Sequence, residues 1–232
     1  MLKLKWDHSL NVAMHMEALA EHLSLNALQR EEAYIAGLLH DAGRFQQYVQ
    51  YHTFVDSRSE DHALMGCRVI HEQNWLHGLA PRSRKKILSA IAQHSRLNVS
   101  KTLDSATQQL VQMLRDCDKI DILRLVAGYY TDPEKARNHD IELDLPDAPE
   151  LSSRVVETFL NGQLVNKTDL RTVNDFKVLQ MGWINDLNFD WTGNNIQQAG
   201  YLREILGTLP ESDAKRRISQ TMAPWFALPR RQ

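Results

Sequence analysis

The sequence predicts an all-α fold on three observations. Apolar residues recur at helical spacing over nearly the whole chain, runs of alternating β-branched residues bounded by turn signals are absent, and helix-ending residues punctuate the periodic stretches. Helices are expected near 8–24, 31–43, 60–74, 82–95 and 104–128. Thr131-Asp132-Pro133 then breaks the chain, and 138–150, with Pro146 and Pro149, reads as a polar connection. Shorter helices follow near 150–161, 171–186, 194–207 and 212–222. Asn161-Gly162 and Gly207 suit helix C-termini because glycine accepts the left-handed conformation cheaply, and Pro224 is expected to stop the last helix. The connection Gln46–Arg58, rich in polar and aromatic residues, is too long for a simple turn and is the expected functional loop.

At 232 residues the chain is long enough to bury a full hydrophobic core. The expected organisation is a core over 1–130 with a helical extension over 131–232 packed on it as one unit. Lys plus Arg number 27 against 29 Asp plus Glu, so a net charge of −2 gives no bulk attraction to nucleic acid or to a membrane surface. Cys67 and Cys117 have neither CxxC spacing nor a short secreted framework, which argues against a disulfide scaffold or a thiolate zinc site. The opening MLKLKWDHS lacks the apolar stretch of a signal peptide, and no segment approaches the roughly 20 apolar residues of a membrane span. A cytoplasmic protein is expected.

Three helices aim polar groups at the core. Val111, Leu114, Asp118, Ile122 and Leu125 follow helical spacing and set a carboxylate on an apolar face. A buried carboxylate must be paired or coordinated, because an uncompensated buried charge costs on the order of several kcal/mol. His94 continues the stripe Ile87, Ala90, Ile91, and His40 continues Ala33, Ala36, Gly37, whose small side chains would let another helix approach closely. A single inward histidine or aspartate is usually satisfied by hydrogen bonds. Several converging from separate helices are what a divalent transition-metal site in a helical bundle needs. His40 and Asp41, as helical neighbours, would point about 100° apart and could reach two ions, or two faces of one.

The setting Leu38-Leu39-His40-Asp41-Ala42-Gly43-Arg44 resembles the HD-domain metal-dependent phosphohydrolases. Their pattern is a histidine on an early helix, an HD pair after apolar residues with glycine and a basic residue soon after, and a distant aspartate. His8, His40-Asp41 and Asp118 fill it in order, and His62 in DHALMG and His94 in AIAQHSR fill the two further positions of the two-metal branch. The stretches GRFQQYVQYHTFVDSRSEDHALMG, RDCDKIDIL and INDLNF are similar to a bacterial subgroup of HD proteins, so the resemblance covers most of the chain.

The resemblance implies an HD-domain helical bundle with a C-terminal helical extension. It also implies two divalent ions, Mn, Fe or Zn before Ni or Mg because imidazoles suit the softer ions. His8, His40, Asp41 and Asp118 would hold one ion; His62, His94 and a bridging Asp41 would hold the other. The implied reaction is attack of activated water on a small phosphorylated, nucleotide-like substrate, with Asp41 and Arg44 catalytic and Arg44 contacting phosphate. Arg58, in the loop before His62, and Lys119, next to a ligand, are by position the further phosphate contacts, with solvated charge as the alternative.

Two departures bear on substrate. Arg44 stands where many relatives carry lysine and should still hold phosphate in bidentate fashion. His94-Ser95 replaces a double histidine and no GYP motif is present, which argues against cyclic-di-GMP. An HD-type di-iron oxygenase has the same ligand types, and Arg44 favours phosphate chemistry over it. A metal-binding signalling module without turnover is the third reading, against which the intact ligand set argues. His15, His22, His52, His71, His77 and His139 are expected at the surface or behind the ligands, and Trp183 and Trp191 in packing.

Overall fold

A computed structural model describes residues 2–134 and 136–227, and among them no strand occurs. The all-α expectation holds. The chain divides into two compact units, 1–121 and 122–232, with the division falling inside one long helix.

The first unit contains α1 (Leu2–His22), α2 (Ala27–Leu39), α3 (Ala42–Tyr51), α4 (His62–Glu72), α5 (Pro81–Gln93) and the start of α6 (Ser105–Thr131). Asn26 starts α2 with a reciprocal capping box to Gln29. Asp61 caps α4 by accepting from the backbone N–H groups of Ala63 and Leu64, and Pro81 occupies the first turn of α5. α1 packs on α2, α2 and α4 on α5, and α3 on α4. The α1–α2 approach passes through Gly37, where a Cβ would lie 2.8 Å from Ala13 Cα, the close approach its small neighbours suggested.

The expected helix 31–43 is corrected to two helices meeting at the HD pair. α2 starts earlier and ends at Leu39, His40 keeps helical angles, and Asp41 leaves them at φ −101°, ψ 15° before α3 begins. His40 and Asp41 therefore diverge at a corner instead of within one helical turn. The loop expected over Gln46–Arg58 is shorter than its composition suggested, because Gln46–Tyr51 continue α3 and only 52–61 connects it to α4, with a 3-10 turn at Asp56–Arg58. The polar residues there are helical because Gln47 finds its partners inside: its amide donates to Asp56 Oδ1 and to the Glu60 carbonyl.

The second unit holds α7 (His139–Glu142), α8 (Ser153–Leu160), α9 (Val173–Met181), α10 (Asp190–Ala199), α11 (Tyr201–Gly207) and α12 (Asp213–Ala227). α9 packs on α8 and α11, and α12 packs on α8. Buried Asp175 ties two helix starts together, accepting from the Ser152 and Arg171 backbone N–H groups at 2.7 and 2.9 Å. Three expectations are corrected here. The helix 194–207 breaks at Gly200, whose φ of +79° only glycine adopts readily, whereas Gly162 follows α8 in the left-handed conformation and Gly207 ends α11 as expected, though without that conformation. The connection 138–150 contains α7, fixed by Tyr129 donating to Glu142, which also receives Arg137. Pro224 does not stop α12: the last-turn carbonyls of Trp225 and Phe226 accept from Gln197 and Arg203, which supports the helix to Ala227.

The α3–α4 crossing is the tightest in the first unit. A Cβ on Gly43 would lie 2.0 Å from the His62 carbonyl and 2.5 Å from Gly66 N, whereas one on Gly66 would meet Gly43 N at 3.1 Å. Gly43→Ala must push apart the backbones that carry Asp41 and His62, and overpacking of this kind costs about 3 kcal/mol. Urea unfolding should show that loss for Gly43→Ala and a cost of about 1 kcal/mol for Gly66→Ala.

Candidate metal centre

Six side chains named by the sequence converge in the first unit. His8 comes from the middle of α1, His40 from the end of α2, Asp41 from the corner before α3, His62 from the first position of α4, His94 from the end of α5 and Asp118 from α6. Three overlapping groups have ligand atoms close enough to share an ion: His8, His40 and Asp41; His40, His94 and Asp118; and Asp41, His62 and His94.

The far nitrogen of each imidazole fixes its orientation. His40 and His94 sit at equivalent positions on α2 and α5, and each must donate Nδ1–H because its acceptor is a carbonyl, Gly37 O or Ile91 O, at 2.7 Å. His8 Nδ1 donates to Asp121 at 2.6 Å and His62 Nδ1 to Asp56 at 2.8 Å. All four Nε2 atoms are thereby turned toward one another. His8 and His40 Nε2 stand 3.2 Å apart, and His62 and His94 Nε2 stand 3.3 Å apart.

Two lone-pair nitrogens that close repel unless a proton or a cation lies between them; burial disfavours the extra proton on His62 and His94, while His8 can hold one on Nε2 until an ion displaces it. Asp118 Oδ1 is buried and faces His8 Nε2 at 3.1 Å and His40 Nε2 at 3.7 Å, where the His8 proton or a cation can meet it. Donors about 2.0–2.2 Å from one ion, at tetrahedral or octahedral angles, stand about 2.9–3.5 Å apart, close to these separations. The donor set therefore fits divalent metal.

Asp41 divides its carboxylate. Oδ2 lies 3.7 Å from both His8 and His40 Nε2, while Oδ1 lies 3.5 Å from His62 Nε2. Each oxygen also has a cationic side chain, Lys5 Nζ at 2.7 Å from Oδ2 and Arg44 Nε at 3.6 Å from Oδ1. Burial pushes the Asp41 carboxyl up, but Lys5, His40, Arg44 and His62 outweigh it and hold it well below the usual carboxylate range. Asp118 is likewise raised by burial and lowered further by His8, His40 and His94. Burial is the largest influence on His40, His62 and His94 and keeps all three below the ordinary imidazole value. His8 differs: burial lowers it, yet Asp118 and Asp121 together raise it to about 9.

Arg44 lies beside the cluster, its Nη1 engaged by Gln47, the Phe54 carbonyl and Asp56, while buried Nε makes no hydrogen bond among the described residues and has only the longer ion pair to Asp41. Arg58 is exposed at the end of the 3-10 turn, and Lys119 is buried on α6. None of the other histidines belongs to the metal-binding groups; His52, His71, His77 and His139 are exposed. Trp183 and Trp191 are half-buried.

Sequence reasoning missed Asp121, Asp56 and Lys5. Leu110, Leu114, Cys117 and Asp121 share a buried face at i, i+4, i+7 and i+11, so the count that found Asp118 could have found its neighbour. Lys5 precedes His8 by one helical turn and shares its face. Asp56 lies in a turn without periodicity and had no such signal.

Two outcomes test the cluster. Asp41→Ala removes the charged donor that faces both histidine pairs, so elemental analysis should find bound metal lost and the melting temperature lowered. In the metal-free protein His8 holds a proton below about pH 9, and an ion must displace it. Metal affinity should therefore rise about tenfold per pH unit from neutrality to about pH 9 and then level off, with proton release visible by calorimetry in buffers of different ionisation enthalpy. A pH-independent affinity over that span would place the ion away from His8.

No curated protein and no solved structure matches the chain significantly. Among the described residues no helix is long and apolar enough to cross a membrane. The HD domain family matches residues 6–123, a span that contains every residue of the cluster from His8 to Asp121. The chain belongs to the HD-domain superfamily of metal-dependent phosphohydrolases.

Proposed function

We propose that the chain is a metal-dependent phosphohydrolase or phosphodiesterase acting on a small phosphorylated, nucleotide-like substrate through two ions. His8, His40, Asp41 and Asp118 would hold one ion, and His62, His94 and Asp41 the other. The observation that carries this reading is the division of Asp41, whose two oxygens face different pairs of imidazole nitrogens. Four imidazoles favour Mn, Fe or Zn. When bound, such ions activate water and offset charge on phosphoryl oxygens.

The remaining work falls to the chain's own side chains. Asp121 and Asp56 hold the Nδ1 protons of His8 and His62, which keeps both Nε2 atoms turned inward. Arg44, beside Asp41 Oδ1 and with Nη1 bracing Asp56 and the Phe54 carbonyl, is the guanidinium that would meet a phosphoryl oxygen. Arg58 and Lys119 are the further phosphate contacts in this reading, and exposed Arg58 is the more accessible.

A hydrolase needs only a redox-silent Lewis acid. Protein reconstituted anaerobically with Mn or Zn should release nitrophenol from a nitrophenyl phosphomonoester or from the bis-ester, and the preferred ester distinguishes phosphohydrolase from phosphodiesterase. If neither ester is cleaved with any divalent metal while iron-loaded protein consumes dioxygen in a substrate-dependent way, the phosphohydrolase reading is wrong.

A further inference from the structure

Lys5 lies outside the ligand set, yet its ammonium takes the shortest polar contact made by the dividing carboxylate, 2.7 Å to Asp41 Oδ2. One helical turn separates it from His8, and its side chain reaches the same centre. The Phe54 ring lies 5.8 Å from the ammonium, within cation–π range. The carbonyl of the same Phe54 receives Arg44 Nη1. One residue of the α3–α4 connection thus orders two cations, one beside each oxygen of Asp41.

Exposure shows where a ligand can enter. The side chains of His8, His40, Asp41 and His62 are at most 4 % exposed, whereas Lys5, Asp118 and Arg44 retain 18, 17 and 15 %. Asp56, 40 % exposed, is committed to Arg44 and His62, so Lys5 and Arg44 are the cations on the open edge.

We propose that Lys5 is a substrate-anion residue of this centre, its ammonium binding a phosphoryl oxygen on the opposite side of Asp41 from Arg44. The inference rests on the phosphohydrolase reading. An ammonium and a divalent ion drawn to one carboxylate oxygen repel each other, and once ions are bound Asp41 needs no further neutralisation. The arrangement is balanced when another anion joins both cations, as a phosphoryl group does. A lysine suits that contact, because its flexible stem lets a point charge leave Asp41 and follow the incoming oxygen. The rival role, holding Asp41 in position for metal, makes the opposite demand: removing Lys5 would then weaken metal binding.

The test uses the full chain loaded with Mn, as wild type, Lys5→Met, Lys5→Gln and Lys5→Arg. Elemental analysis reads metal content, calorimetry reads binding of inorganic phosphate, and steady-state rates on the nitrophenyl ester separate KM from kcat. Lys5→Met and Lys5→Gln should keep the wild-type metal content, weaken phosphate binding by about tenfold or more, and raise KM by more than they lower kcat. Lys5→Arg should recover most of the phosphate affinity. Unchanged phosphate affinity in both neutral variants overturns the inference, as does a fall in their metal content. Wild-type protein that binds phosphate in a Lys5-dependent way but cleaves no ester refutes the hydrolase reading and leaves the anion site standing. Loaded wild-type protein that binds no phosphate refutes both.

Discussion

Hydrogen bonds on the outward nitrogens of four histidines determine what the centre can be. Gly37 and Ile91 supply carbonyls and Asp121 and Asp56 supply carboxylates, so the Nδ1 proton of each ring is engaged and its Nε2 is turned toward the others. Buried imidazoles would ordinarily turn their nitrogens to separate partners to escape mutual repulsion. Here that escape is closed, and Asp118 Oδ1 is left facing two of the rings. A cation between these atoms resolves all the contacts together, which is why the donor set reads as a metal centre and not as a buried polar network.

The backbone serves this convergence in a consistent way. α2 and α5 each end at a ligand, so their C-terminal carbonyls, the negative ends of two helix dipoles, point toward a site for cations. The chain then turns at Asp41, and α3 crosses α4 at a point where Gly43 leaves no room for a Cβ. Arg115 adds a brace from α6, donating to the His94 carbonyl just where α5 stops. Buried Glu32 pairs with half-buried Lys86 at 2.5 Å between α2 and α5, two turns before His40 and His94 respectively, and the pair locks the register of the two helices.

How much of this was legible follows from periodicity. His40, His94 and Asp118 were visible because each interrupts an apolar stripe, and the close approach at Gly37 was visible in the small residues beside it. The corner at His40-Asp41 was not, since α2 and α3 are joined without a glycine or proline to mark the break, and Asp41 merely relaxes into a sparsely populated but allowed backbone conformation. Pro224 misled because the helix end is held from outside: the carbonyls of Trp225 and Phe226, beyond the proline, accept from Gln197 and Arg203, residues far along the sequence. Asp56 and Lys5 act through geometry set by the folded chain, and their roles depend on which groups the fold brings opposite them.

The two halves of the centre are unequal in their support. His8 is held by Asp121, fully buried on a long helix, whereas His62 is held by Asp56, whose side chain is 40 % exposed on a 3-10 turn. Burial pushes Asp56 up, but His62, Arg44 and Gln47 together hold it far below the usual carboxylate range, so it stays an acceptor at any working pH. Gln47 and Arg44 both donate to it, and Arg44 is the residue proposed to meet phosphate. A substrate oxygen that draws the guanidinium away from Asp56 would loosen the carboxylate that orients His62, while His8 and Asp121 would be untouched. In that reading phosphate binding and the His62 half of the centre would be linked through one arginine, to which the carboxylate behind His8 has no such tie.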